Sequence, residues 1–176
     1  MMQDFAAIDK LFDEFKYAEA YKLLKQVRAH RVISEKLQAY DGGNHDAQLL
    51  YRLGRACHGQ AAGLDAKDKR KKELILEGLG YTDAAVKALG PDGKDLQLLK
   101  WAGILSGAAS DFLGTKEKIQ QGFVFKALLD RALAIDANDY ALLHMRGRFA
   151  WSVANFSWLE RKAASTLFAA PPEATV

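Results

Sequence analysis

Apolar residues in this chain recur at three- and four-residue steps, and polar or small residues punctuate them at regular intervals. The clearest stretch runs from Asp95 to Asp139. Its first half carries Leu99-x-x-Ala102-Gly103, and its second carries Phe125-x-x-x-Leu129-x-x-Ala132. Steps of three and four place each set on one face of a helix, so the stretch predicts a helical hairpin. The small residues at 102 and 103 let a second helix lie close. One hairpin cannot bury such a face alone, and a neighbour of the same design must cover it.

The same pattern organises the rest of the chain. Residues 3–13 predict a first helix with Phe5, Ile8, Leu11 and Phe12 on its apolar side. A turn is expected at Lys16-Tyr17. Tyr17-Ala18-Glu19-Ala20 opens a second helix with Ala20, Leu24 and Val27 in register, continuing through Glu35-Lys36-Leu37. Asp41-Gly42-Gly43-Asn44 reads as a loop, and Asn44 or Asp46 as the cap of the next helix. That helix carries Leu50-x-x-Leu53-Gly54-x-x-Cys57. Residues 65–72 read as a charged turn, and Glu73 to Leu89 as the return helix with Gly78, Thr82 and Ala85 in register. Gly90-Pro91 stops it. Asp95 is the expected cap of the third hairpin, whose return begins at Asp111 or Thr115. Asp139 opens a fourth, with Leu143-x-x-Arg146-Gly147-x-x-Ala150 and then a capping box at Ser157-x-x-Glu160 before Pro171-Pro172.

Gly54, Gly103 and Gly147 thus hold equivalent places. The spacings match those of the tetratricopeptide repeat, with aromatics replaced and the period stretched. The expected fold is all-α: tetratricopeptide-like hairpins at about 3–40, 46–90, 95–137 and 139–172, stacked as a short right-handed solenoid in a single domain over 1–176. The double proline stands where a partner helix would begin, so the domain is expected to be truncated at its C-terminus. The competing reading is a non-repetitive helical bundle.

Composition narrows the picture slightly. Of 176 residues, 49% are hydrophobic and 27% charged, the balance of a folded chain rather than a disordered one. Three prolines and few β-branched residues favour helices. The net charge of +3 is too modest to imply a nucleic-acid partner, and the basic run lacks interleaved aromatics. Cys57 stands alone, which rules out an internal disulfide and fits a reducing, cytoplasmic setting. No apolar run reaches the length of a transmembrane helix, and Met1 to Asp4 do not open a charged-then-apolar leader pattern.

The residues that commonly do chemistry form no constellation. His30, His45, His58 and His144 lack metal-ligand spacing, and neither a Cys pair nor a nucleophile elbow is present. Gly114-Thr115-Lys116 does not follow the order of a phosphate-binding loop. The expectation is a protein without catalysis, metal or cofactor.

Trp158 to Pro172 resembles the regulator of microtubule dynamics family in a tryptophan followed by a basic pair, Arg161 and Lys162, and then Leu167-Phe168-Ala169-x-Pro171-Pro172. Leu49 to Ala56, the segment around Trp101, the Gly114 to Ile119 stretch and the segment around His144 and Gly147 are similar to that family in the same order. The resemblance covers roughly Asp46 to Pro172. It implies a non-enzymatic microtubule-associated interaction domain, binding microtubules or spindle partners and acting in mitotic spindle function and chromosome segregation, located on the cytoskeleton and the mitotic spindle. The alternative it leaves open is a helical lipid-binding or tethering domain at organelle contacts.

Microtubule surfaces present acidic tails, which need accessible cations. The candidates are Lys67, Lys69, Arg70, Lys71 and Lys72, with Arg146, Arg148, Arg161 and Lys162 as a second cluster. For each group the bland reading is a solvated charged surface. In the repeat register Gln48, Tyr51, Arg55, His58, Lys100, His144, Arg148 and Trp151 point to the concave groove, where arginine, histidine and aromatic side chains suit an acidic peptide.

Overall fold

The computed structural model describes residues 5–35 and 43–155, with backbone alone given for 30–35 and 43–46. All regular structure among them is helical: α1 (Ala6–Asp13), α2 (Tyr17–Glu35), α3 (Gly43–Ala62), α4 (Lys69–Leu89), α5 (Leu96–Ala109), α6 (Thr115–Leu133) and α7 (Tyr140–Ala154), with a 3₁₀ turn at Ser110–Phe112. The described residues fall into two compact units that divide between Gly93 and Lys94.

In the first unit each helix packs on the next along the chain, and α3 with α4 forms the tightest pair. Its core joins Ile8 and Phe12 of α1, Ala20 and Leu24 of α2, Leu49, Leu53, Ala56 and Cys57 of α3 and Tyr81 of α4. The expected register holds here: Ala20, Leu24, Leu53, Gly54, Cys57, Gly78, Thr82 and Ala85 are all buried. Thr82 hides its hydroxyl by donating to the carbonyls of Gly78 and Leu79, so a polar group sits in the core without an unmet partner.

Arg52 ties α3 to α1. Its guanidinium donates twice to the Asp9 carboxylate, at 2.8 and 2.7 Å, and lies 4.4 Å from the Phe5 ring centre. The arginine is buried and its partner is half exposed, so the pair fixes α1 in place more firmly than a surface pair would.

α1 ends in a Schellman motif. The Lys16 amide donates to the Leu11 carbonyl at 2.8 Å and the Phe15 amide to Phe12 at 3.1 Å. Phe15 occupies the left-handed position of that motif, φ 58°, where glycine is the usual residue. At the far end of the unit α4 closes more conventionally, with Gly90 at φ 76° donating to Val86 before Pro91.

In the second unit α5 packs on α6, and α6 on α7. Leu99, Ala102 and Gly103 are buried as their spacing predicts, and so are Leu129 and Ala132. Ser106 and Gln121 satisfy one another between α5 and α6, the amide donating to the hydroxyl at 2.8 Å. Phe125 stacks at 5.3 Å on Phe149 of α7. Asp95 and Asp139 cap α5 and α7, accepting from the Leu98 and Leu142 amides at 3.0 Å each.

Several sequence expectations need correction. The α1–α2 reversal lies at Glu14 and Phe15 rather than at Lys16-Tyr17, while α2 opens at Tyr17 as expected. Gly43 and Asn44 are helical rather than looped, and Asp46 lies inside α3, so neither Asn44 nor Asp46 is its cap. The return helix α4 begins at Lys69, not Glu73. Lysine and arginine are good helix formers, and Asp68 supplies a cap that starts the helix one turn early. Thr115, not Asp111, begins α6. Gly147 differs from Gly54 and Gly103: it is exposed, and no atom lies within 4 Å of where a Cβ would stand. The capping box at Ser157 and the apolar positions from Trp158 to Phe168 lie outside the described residues.

Candidate interaction surface

The basic run occupies the last residues of the α3–α4 connection and the first turn of α4. Residues 65–72 hold five cations against Asp65 and Asp68, a net of three positive charges. The five are not equivalent. Asp68 accepts the Arg70 amide at 2.9 Å and its carboxylate takes the Arg70 guanidinium at 2.6–3.1 Å. That guanidinium holds the Asp68 carboxyl below the usual carboxylate range. Lys71 turns back to donate to the Leu64 carbonyl at 3.2 Å. Lys67, Lys69 and Lys72 are exposed and form no ion pair among the described residues.

A cation in the first turn of a helix is repelled by the exposed amide groups and the macrodipole there. Lys69 and Lys72 therefore work against α4, and Asp68 offsets only part of that. Acidic side chains are the residues that helix electrostatics would favour at this place.

The second basic group is divided. Arg146 and Arg148 are exposed on α7, but two residues along a helix turn the side chain through about 200°, so they address different sides. Arg161 and Lys162 lie outside the described residues.

The candidate groove residues fall in both units. Gln48, Tyr51, Arg55 and His58 form one stripe of α3. Gln48 accepts from Arg52 at 2.9 Å, Tyr51 is only 6% exposed, and the Arg55 guanidinium lies 4.3 Å from the Phe12 ring centre. Of this stripe, Arg55 thus reaches α1, and Gln48 is engaged by Arg52 of its own helix. His58 is half-buried, and burial, then Lys71, pushes its pKa down, so it stays neutral near pH 7. In the second unit Lys100 is mostly buried and joined to Asp139 by a short ion pair. His144 stacks on Tyr140, and Trp151 is 71% exposed.

A cluster that residue spacing alone does not reveal bridges α2 and α4. Tyr21 and Tyr81 both donate to the Glu77 carboxylate, at 2.7 and 2.8 Å, and Lys25 donates to the Tyr81 hydroxyl at 2.9 Å. Arg28 lies over the Tyr81 ring. Burial alone would raise the Glu77 carboxyl, but the two hydroxyls and Lys25 outweigh it and hold it below its usual range. The steps Tyr21–Lys25–Arg28 and Glu77–Tyr81 were visible as helical stripes. Their meeting across 56 residues was not.

Among the described residues no group of histidine, cysteine or acidic side chains is placed to hold a metal ion, and no helix is long and apolar enough to cross a membrane. What the arrangement offers is a charged, solvent-facing edge.

The family described as Regulator of microtubule dynamics protein 1-3 matches residues 4–176. Regulator of microtubule dynamics protein 1 of Caenorhabditis elegans is 37% identical over 99% of this chain and 70% of its own length. The protein of the same name from Bos taurus is 29% identical over 95% of the chain and 47% of its own length. Regulator of microtubule dynamics protein 3 of Xenopus laevis is 33% identical over 76% of the chain and 28% of its own length. The chain therefore spans about half or less of these two vertebrate relatives. On this match along nearly its whole length, the chain belongs to the regulator of microtubule dynamics family.

Proposed function

We propose that this chain is a non-catalytic, tetratricopeptide-like interaction domain that binds microtubules through the acidic tails of tubulin, acting at the cytoskeleton and the mitotic spindle in chromosome segregation. The observation that carries this reading is the exposed trio of Lys67, just before α4, and Lys69 and Lys72 in its first turn, where helix electrostatics disfavour the last two. Family membership supplies the microtubule context. Unpaired cations on flexible stems suit a disordered acidic tail, which needs many weak contacts rather than a pocket.

The test is co-sedimentation with stabilised microtubules over a salt series, with intact tubulin and with tubulin whose acidic tails have been removed by protease. Pelleting should weaken with salt and with tail removal. A variant with Lys67, Lys69 and Lys72 changed to Ala should lose most binding, whereas the double change Asp68→Asn with Arg70→Ala, which removes a pair of no net charge and keeps a capping oxygen, should change it little. Absence of pelleting at low salt overturns direct binding by this chain.

A further inference from the structure

Phe15 is the one non-glycine residue with positive φ among the described residues, and it is 77% exposed. Neither fact is explained by packing. A bulky side chain in the left-handed region is strained, and one facing solvent gains little burial in return. Among the described residues its one ring neighbour is Tyr17, edge-on at 6.2 Å. The motif that ends α1 would be better served by glycine.

The position of Phe15 gives the side chain a use. Tyr17 seats its ring directly on Gly59 of α3, close to the end of that helix. His58, beside Gly59, feels the charge of Lys71, and Lys71 reaches back to the Leu64 carbonyl. The α1–α2 turn and the basic start of α4 therefore share one end of the first unit. The exposed aromatic and the three unpaired lysines thus lie toward the same end, at the turn that joins α1 to α2 and the one that joins α3 to α4.

We propose that this end of the first unit takes an acidic peptide segment carrying an apolar side chain, with Phe15 as the apolar contact and Lys67, Lys69 and Lys72 as the ionic ones. The proposal rests on the basic-turn reading above and adds what that reading lacks, a source of selectivity among acidic partners. Charge complementarity brings the segment in, and an exposed aromatic discriminates by what it buries. The surroundings favour a peptide over an anionic bilayer. Asp13 is exposed beside Phe15, Glu14 next to it is paired with Lys16 at 2.9 Å, and two further acids, the exposed Asp65 and the Arg70-paired Asp68, lie in the α3–α4 connection. A flat negative surface would meet the exposed Asp13, Glu14 and Asp65, whereas a peptide can thread past them.

Two synthetic glutamate-rich peptides of equal charge test this, one with a central Phe and one with Ala in its place, followed by fluorescence anisotropy. Wild type should bind the Phe peptide more tightly, on the order of tenfold. Phe15→Gly should abolish that preference and leave affinity for the Ala peptide unchanged, while its urea midpoint stays at or above wild type. The triple lysine variant should weaken binding to both. Equal affinities in wild type, no binding of either peptide, or a preference that survives Phe15→Gly overturns the proposal. So does Phe15-dependent binding to phosphatidylserine vesicles without peptide preference. Peptide selectivity without microtubule pelleting would remove the microtubule reading and leave this one standing, and pelleting without selectivity would do the reverse.

Discussion

The ring of Tyr17 occupies the space that a side chain on Gly59 would need: a Cβ at residue 59 would stand 2.2 Å from the tyrosine Cδ1 and 2.3 Å from its Cγ. Those are atoms near the root of the ring, and the ring is held on its other side by Phe12, 6.1 Å away. It cannot swing clear without moving α2. Gly59→Ala should therefore destabilise the protein by about 1–2 kcal/mol, the overpacking cost exceeding the gain in helix propensity. Gly80 is the matched control, since nothing lies within 4 Å of its added Cβ. Gly80→Ala should stabilise by about 0.5–1 kcal/mol. Urea denaturation of both variants checks the opposite signs, and equal shifts would refute the packing argument.

The pair between Asp9 and Arg52 predicts an asymmetric response. Asp9→Ala leaves the buried Arg52 guanidinium without its bidentate partner and should cost about 2 kcal/mol. Replacing both residues with apolar ones of similar size should cost less than the sum of the single changes. A double-mutant cycle measures that difference. Additive effects would mean that α1 is held by its apolar side, Ile8 and Phe12, and not by the ion pair.

Much of this fold was legible in the sequence because the signals were local. Asp95 and Asp139 cap their helices by bonds to amides three residues on, and Gly90-Pro91 stops α4 where the pattern ends. The registers through Leu24, Leu53 and Leu99 needed only helical periodicity. Where local and tertiary preferences conflict, local reading failed. Gly43 and Asn44 are poor helix formers, yet α3 begins at Gly43, a few residues before the wholly buried Ala47. The site was legible as a run of charges, but not which charges are free: the Arg70–Asp68 and Lys71–Leu64 contacts needed coordinates. Phe15 gave no signal, because nothing in Glu14-Phe15-Lys16 announces a left-handed residue.

Asp139 caps α7 and holds Lys100 with one carboxylate, and the two side chains are 13% and 17% exposed. The Lys100 contact first, and the Leu142 amide after it, hold the carboxyl below its usual value. A carboxylate depressed in the folded state contributes stability that is complete above its unfolded pKa and is lost as pH falls through the folded one. Melting temperature should therefore decline on acidification below about pH 4. Asp139→Asn, which keeps a capping oxygen and loses the charge, should flatten that part of the profile. An unchanged profile would place the acid sensitivity elsewhere, with Glu77 the next carboxylate to substitute.

The alkaline side is governed by groups whose protonated forms the fold prefers. Burial, helped by Glu77, pushes the Cys57 thiol up to about 12, and burial with the Glu77 contact does the same for the Tyr21 hydroxyl. Both are raised in the folded state, so their contribution is complete below the unfolded values and is lost as pH rises from about 9 to 12. Stability should fall steeply across that window. Cys57→Ala should make the fall shallower, after a general loss of about 1 kcal/mol for the core vacancy. Ellman's reagent should leave the thiol untouched at pH 8 until denaturant is added. Rapid labelling of the native protein would show that the core around Cys57 opens readily.

Phe15 sets stability against binding most directly. Glycine at this left-handed position relieves the side-chain strain, so Phe15→Gly should stabilise the protein by about 1 kcal/mol. Phe15→Ala removes the same ring contact with Tyr17 but keeps the β-carbon, so it should gain little or nothing. The comparison separates backbone strain from lost packing. If glycine and alanine shift the urea midpoint equally, the φ of 58° carries no strain. If glycine alone raises it, the chain holds at the α1–α2 turn a residue that folding disfavours, and the ring's exposed contact surface is left to be accounted for through binding measurements.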